Sequence, residues 1–355
     1  MSERWDRDKS WLWYDQQPWF RGCNFIPSNA INQIEMWSAD TFDPETIDRE
    51  LGWASRVGFN AMRVYLHDQP WIDDREGFLD RVTRYLEIAE HHKIRTLFVL
   101  FDDCWHEPVA GVQPAPRPGV HNSGWARCPG RTKLLNRSHW AQLRAYVIDL
   151  VGYFGQDVRV LGWDIYNEVT NGLMPSLSLS DEERDDAVRR IERDRTAQAA
   201  AGVELAKAAF GWAREVGPTQ PLTAGIFMKN DDLNPQLIEL SDIVSFHHYG
   251  PVDALERLIA KLQSNGRPIL CTEYLNRRGG SLFQTHLPVF KREKIGCFNW
   301  GLVDGKTQTK FAWTDKAGGG EPSVWFHDVL LPDGRPYDSE ETEVIMRLTS
   351  EKGHS

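Results

Sequence analysis

Short apolar runs, each long enough for one strand, recur along this chain with amphipathic segments between them. That alternation is the feature that most narrows the fold. The runs are Phe20–Phe25, Ala61–Leu66, Thr96–Phe101, Val158–Tyr166, Leu222–Phe227, Ile243–Phe246, Pro268–Thr272 and Gly296–Leu302. Helical patterns fill Pro44–Arg56, Arg75–His91, Ser138–Phe154, Asp181–Val216, Pro251–Gln263 and Leu282–Lys294, and Ser339–Thr349 follows the last run. Parallel strands need a long crossover between them, usually a helix, so strands alternating with helices predict a parallel sheet. Eight such units in 355 residues predict a single (β/α)8 TIM barrel spanning residues 1–355 as one domain. Asp43 before Pro44 reads as a helix start, an N-cap followed by proline at the first helical position. The polar stretch Leu173–Ala201 reads as an insertion before or within the fourth helix.

The segments after the first strand (Ile26–Phe42), the third (Asp102–Arg137) and the eighth (Val303–Asp338) are long. Long loops in a compact domain are functional or disordered, and disordered segments are poor in aromatics. These carry Trp37, Trp105, Trp125, Trp313 and Trp325 with His106, His121 and His327, so they are expected to wall a pocket.

A barrel places its chemistry where strands end. The fourth run stops at Asn167-Glu168 and the seventh at Glu273. Two carboxyls facing each other across a barrel mouth are what glycosidic bond cleavage needs: one protonates the leaving oxygen, the other attacks carbon or activates water. Taken singly, either glutamate is more often a surface or salt-bridged residue; both ending apolar strands is what favours the catalytic reading. Asn167 suits a sugar 2-hydroxyl or a strand-end turn. His247 and Tyr249 share a face, and Tyr249 can hold a nucleophile through its hydroxyl. The His247-His248 pair hints at metal but lacks a third ligand nearby in sequence, and two carboxyls suffice for the chemistry, so no metal or cofactor is expected. Arg63 is a cation inside an apolar strand and must be paired, either structurally or beneath the nucleophile. Trp300 reads as a sugar floor or a core ring. Asp102 and Asp103 read as sugar ligands or caps of the next turn.

The bulk numbers exclude other classes. With 41% apolar and 26% charged residues the chain can bury a large core. A net charge of −10 without a basic run argues against nucleic acid or an anionic membrane as partner. Fifteen tryptophans suit both a bulky core and flat platforms for sugar rings. The five cysteines follow no disulfide spacing, and Cys23, Cys271 and Cys297 fall within strand runs. No apolar leader or spanning segment is read, so the expected compartment is the cytoplasm and the expected partner a small oligosaccharide.

Together these residues resemble glycoside hydrolase family 5, within the clan of retaining barrel hydrolases. The clan pattern is Asn-Glu after strand four (Asn167-Glu168) and Glu after strand seven (Glu273). The family adds Arg63, the His-x-Tyr of His247 and Tyr249, and Trp300, over roughly residues 18 to 340. One position departs: the family often carries a His after strand three, where this chain reads Asp102-Asp103-Cys104-Trp105-His106. The segments Gly22–Ser28, His121–Trp125 and Gly305–Thr309 resemble a bacterial exo-β-mannosidase subfamily, which adds Asp103, Asn122, Trp125 and Lys306 as substrate contacts. The resemblance implies release of β-mannose from the non-reducing end of short oligosaccharides such as the Manβ1-4GlcNAc unit of N-glycan cores. An endo-β-1,4-glycanase and a non-catalytic sugar-binding barrel are the alternatives. It also implies Glu273 as nucleophile and Glu168 as acid/base with a raised pKa. Oligomeric state stays open.

Overall fold

A computed structural model of the chain describes residues 3–173 and 181–350. Its strands are β1 (Arg21–Asn24), β2 (Ala61–Tyr65), β3 (Arg95–Asp102), β4 (Val160–Asn167), β5 (Leu222–Thr223), β6 (Val244–His247), β7 (Ile269–Tyr274) and β8 (Gly296–Trp300). They form one parallel sheet in the order β5-β4-β3-β2-β1-β8-β7-β6. A parallel bridge between Ile226 and Phe246 joins the two ends, with Ile226 N–H on the Ser245 carbonyl at 3.0 Å. The result is the (β/α)8 barrel that the alternation predicts.

The strands read as continuous apolar runs because both their faces are buried. Phe20, Ala61, Leu97, Leu161, Ile243, Leu270 and Phe298 fill the barrel interior. Their strand neighbours Cys23, Met62, Phe98, Leu100, Cys271 and Cys297 pack outward among the helices. Each apolar helical stripe finds the sheet in this way, as in Arg75–His91, whose Phe78, Val82, Tyr85 and Leu86 are buried. Helix Pro44–Val57 starts as read, with Asp43 accepting from the N–H groups of Glu45 and Thr46 at 3.1 Å, and it ends at Gly58.

One feature departs from the sequence reading. A helix over Arg7–Asp15, which the charged N-terminus conceals, lies against the starts of the strands: Tyr14 joins the interior cluster, donates to the Lys294 carbonyl at 2.7 Å and accepts from Gly296 N–H at 2.9 Å. The helical pattern over Asp181–Val216 forms a 35-residue helix, Asp181–Glu215, which takes in most of the stretch read as an insertion before or within the fourth helix; residues 174–180 of that stretch lie outside the described residues. No helix among the described residues is long and apolar enough to cross a membrane.

The loops after β3 and β8 are stitched together over the mouth. Asn122 N–H donates to the Thr307 carbonyl at 2.9 Å, His121 Nδ1 to the Phe311 carbonyl at 2.8 Å, and Gln308 Nε2 to the Arg117 carbonyl at 2.8 Å. The β8 loop also crosses the β1 loop at Gly305, where a Cβ would stand 2.3 Å from the Ser28 carbonyl oxygen, so only glycine fits.

Candidate active site

Glu168 and Glu273 meet above the open ends of β4 and β7. One carboxylate oxygen of each and a ring nitrogen of His247 lie within 4.8 Å of one another. Facing oxygens this close fit the separation of about 5–5.5 Å between the carboxyls of a nucleophile and an acid/base, which is shorter than the roughly 6.5–9.5 Å that leaves room for an intervening water.

Backbone irregularities aim these groups. In β7, Cys271 and Tyr274 both pack into the outer core, three residues apart, and a register shift between them turns Glu273 toward the mouth. At the end of β4, Glu168 takes a left-handed backbone (φ 48°), and Thr170 follows at φ 79°. Trp105 and Leu275, after β3 and β7, share that region at φ 70° and 81°. Non-glycine residues pay roughly 1–3 kcal/mol each for such conformations, which persist where function requires the geometry.

Glu273 is ringed by donors. Its Oε1 accepts from Arg63 at 2.9 Å and from the Tyr65 hydroxyl at 2.9 Å, and its Oε2 from the Tyr249 hydroxyl at 2.7 Å. Arg63 is fully buried and shared among Glu273, Asp164 at 2.7 Å, Asn24 at 2.7 Å, Asn167 at 2.6 Å and Tyr65 at 2.6 Å. Both readings of Arg63 are thus met: it is paired structurally with Asp164 and it underlies Glu273. Burial raises the Glu273 carboxyl above its ordinary range, with Glu168 adding to the rise, while Arg63 and the Tyr249 hydroxyl pull against it. Burial also pushes Glu168 up, against hydrogen bonds from Asn171 and Cys104. Two carboxyls this close disfavour being charged together, so where the pair holds one proton the other neighbours decide its place. With a guanidinium and two hydroxyls on Glu273, that proton belongs on Glu168. Burial drives His247 down to about 4, so its ring is neutral across the ordinary range. Its Nδ1 lies 2.7 Å from Glu168 Oε1 and 3.5 Å from Glu273 Oε2. Gly225 leaves space for this ring, since a Cβ there would stand 2.7 Å from Nε2.

The pair opens into a cavity of about 450 Å³, within the size range of small-ligand sites. Asn167, His247, Tyr249 and Trp300 line it with the two glutamates, as do Trp105, His121 and Asn122 from the β3 loop and Trp313 and His327 from the β8 loop. The Asn122 amide is buried there with no hydrogen-bond partner among the described residues. The walls differ from the expected set. Trp37 stacks on Phe42 in the outer core and donates to the Tyr65 carbonyl at 2.8 Å. Trp325 stacks on Tyr337, His106 is absent from the lining, and the β1 loop contributes nothing to it. Phe227 and Met228, after β5, form a wall that the sequence did not suggest.

Three predicted contacts lie away from the cavity. Asp103 is buried against Arg127 and accepts from Thr170 N–H at 3.0 Å in the loop after β4, while Asp102 is the acid that caps the next turn, accepting from Cys104 N–H at 3.1 Å. Its neighbour Asp102, raised to about 6 by burial against hydrogen bonds from Asn167, Trp125 and Cys104, anchors Trp125 Nε1 at 2.7 Å and Asn167 Nδ2 at 2.9 Å. Trp125 therefore stands behind the lining, 5.5 Å from the Trp300 ring and 5.1 Å from Tyr65. Lys306 is held by Glu35 at 2.6 Å where the β8 loop crosses the β1 loop.

Glu168, His247 and Glu273 have the composition of a metal site, but Arg63 lies 2.9 Å from Glu273, where it would oppose a dication. His67, Asp68 and Cys128 form a second such cluster. There Lys133 occupies Asp68 at 2.5 Å, and both His67 nitrogens are engaged, by Gln69 N–H and the Arg127 carbonyl at 3.0 Å.

No family model and no curated protein matches the chain by sequence. Solved structures share its fold. An endo-β-1,4-mannanase from Thermotoga petrophila superposes with a TM-score of 0.56 at 13% identity, over 93% of this chain and 77% of that one. An exo-β-1,4-mannosidase from Opitutaceae bacterium strain TAV5 gives 0.59 at 16%, over 92% and 58%. A GH5_18 variant from Streptomyces cattleya in complex with Manβ1-4GlcNAc gives 0.60 at 12%, over 93% and 81%. At these identities the likeness establishes the barrel fold, and the chemistry has to be argued from the residues.

Proposed function

We propose that the chain is a retaining β-glycosidase of glycoside hydrolase family 5. The observation that carries this reading is the facing of Glu168 and Glu273, one oxygen of each within 4.8 Å, over a buried arginine. Glu273, held ionised, attacks the anomeric carbon while the bond to the glycosidic oxygen breaks and Glu168 gives that oxygen its proton. Water then attacks the anomeric carbon of the glycosyl-enzyme ester from the face the leaving group vacated, opposite Glu273. Glu168 takes the water's proton, Glu273 leaves, and both carboxyls return to their starting states. Tyr65 and Tyr249 donate to the charged Glu273, and Asn167 lies at the mouth where a sugar 2-hydroxyl stands.

The finer reading is exo action on a β-mannoside such as Manβ1-4GlcNAc. The hydrogen bonds between the β3 and β8 loops support it, because they close one side of the mouth with Trp105, His121, Trp313 and His327 and make a pocket of a cleft. The fold relatives named for β-mannosidic substrates lend it further support. The test is incubation with Manβ1-4GlcNAc beside mannan, cellulose and xylan. Mannose release from the disaccharide with slow attack on polymers is expected; rapid internal cleavage of a polymer, with no mannose from the disaccharide, would favour an endo-glycanase.

A further inference from the structure

We propose that Cys104 is a positioning residue for the proton donor: its thiol donates a hydrogen bond to Glu168 Oε2 and fixes that carboxyl opposite Glu273. The inference rests on reading Glu168 as the acid/base.

The direction of the bond follows from the partners. Cys104 Sγ lies 3.3 Å from Glu168 Oε2 and 3.4 Å from both Asn167 Nδ2 and Asn171 Nδ2. Amide nitrogens only donate, so the sulfur accepts from the asparagines and its own hydrogen points to the carboxyl. The sulfur keeps that hydrogen, because burial, with Asp102, Glu168 and Glu273 nearby, holds the thiol well above its ordinary range. Glu168 is then held at both oxygens, Oε1 by His247 and Oε2 by Cys104 and Asn171. The other four cysteines have no such role; they are fully buried in the outer core and none lines the cavity. The backbone reinforces the placement: Cys104 N–H donates to Asp102 Oδ1 at 3.1 Å, and Trp105 beside it takes its left-handed conformation.

A donor to a carboxyl favours its charged form, and loss of the donor raises the pKa. The basic limb of kcat/KM reports the free enzyme's acid. Cys104→Ala should therefore move that limb to higher pH, by about half a unit for a weak donor. It should also slow hydrolysis of aryl β-glycosides with poor leaving groups, which need the proton, several-fold more than those with good ones. Cys104→Ser keeps a donor and should retain the wild-type leaving-group pattern, with the limb unmoved or lower.

The experiment records pH profiles of kcat/KM for wild type, Cys104→Ala and Cys104→Ser on nitrophenyl and dinitrophenyl β-mannosides. Glu168→Ala is assayed in parallel with azide. An upward limb and a leaving-group penalty in the alanine variant, both reversed in serine, is the expected result. A wild-type limb in both variants, or alanine and serine shifted together, overturns the proposal. If the alanine variant does not fold, a serine limb above that of wild type overturns it alone. Failure of the underlying reading looks different: azide then does not rescue Glu168→Ala, whatever the Cys104 variants do.

Discussion

Tyr65→Phe isolates what holds the nucleophile. The substitution deletes one oxygen and keeps the ring, which packs edge-on against Trp125 and Trp300 with centroids 5.1 and 5.8 Å away. The lost hydroxyl accepts from Arg63 at 2.6 Å and donates to Glu273 Oε1 at 2.9 Å. A hydrogen bond to a charged group contributes about 1.5–3 kcal/mol, and one pKa unit corresponds to about 1.4 kcal/mol. The Glu273 pKa should therefore rise by about one to two units. The sign follows from the mechanism: the nucleophile works ionised, the hydroxyl stabilises that form, and its removal brings protonation at higher pH. The acidic limb of kcat/KM on an aryl β-mannoside should move up by that amount, while the basic limb, set by Glu168, stays. An unmoved acidic limb, or equal displacement of both limbs, would refute the assignment of Tyr65 and with it the reading of Glu273 as the ionised partner.

Three further outcomes follow from the same geometry. Glu273→Gln should lose several orders of magnitude in turnover, whereas Glu168→Ala should keep its first step on substrates with good leaving groups and be partly rescued by azide; a mildly impaired Glu273→Gln contradicts the roles. Trp37→Ala, which empties a fully buried site in the outer core and frees the Tyr65 carbonyl, should cost about 3–5 kcal/mol in urea unfolding, and a loss below about 1 kcal/mol contradicts that packing. EDTA should leave activity intact, since two carboxyls, an arginine and two hydroxyl donors supply the chemistry; activity lost on chelation and restored by one metal would reverse this.

Elements buried on both sides were the most legible in the sequence. All eight strands lie within the apolar runs or a residue or two beyond them, because a parallel strand covered by helices has to be apolar throughout. Glu168, Glu273 and Arg63 stood out for the same reason, as charges set against apolar runs. Tyr65 sits two residues after Arg63 on the same strand face, and Asn24 ends β1 as Asn167 ends β4. Asp164 is the buried acid that a buried arginine requires. The loops were less legible because aromatic content does not say which way a loop side chain faces. Trp37 and Trp325 serve packing while Trp105 and Trp313 reach the cavity. Lys306 turns to Glu35 because two loops cross at Gly305, a long-range contact with no local pattern. The register shift that aims Glu273 depends on pairing with neighbouring strands and leaves no mark in the periodicity of β7 itself.

The central claim, that Glu168 and Glu273 work as a retaining pair, is tested most directly by watching which anomer forms first. Proton NMR of an aryl β-mannoside during the first minutes of hydrolysis, before mutarotation, should show β-mannose appearing ahead of α. Initial release of α-mannose would mean single displacement by water, and would contradict the account at its base.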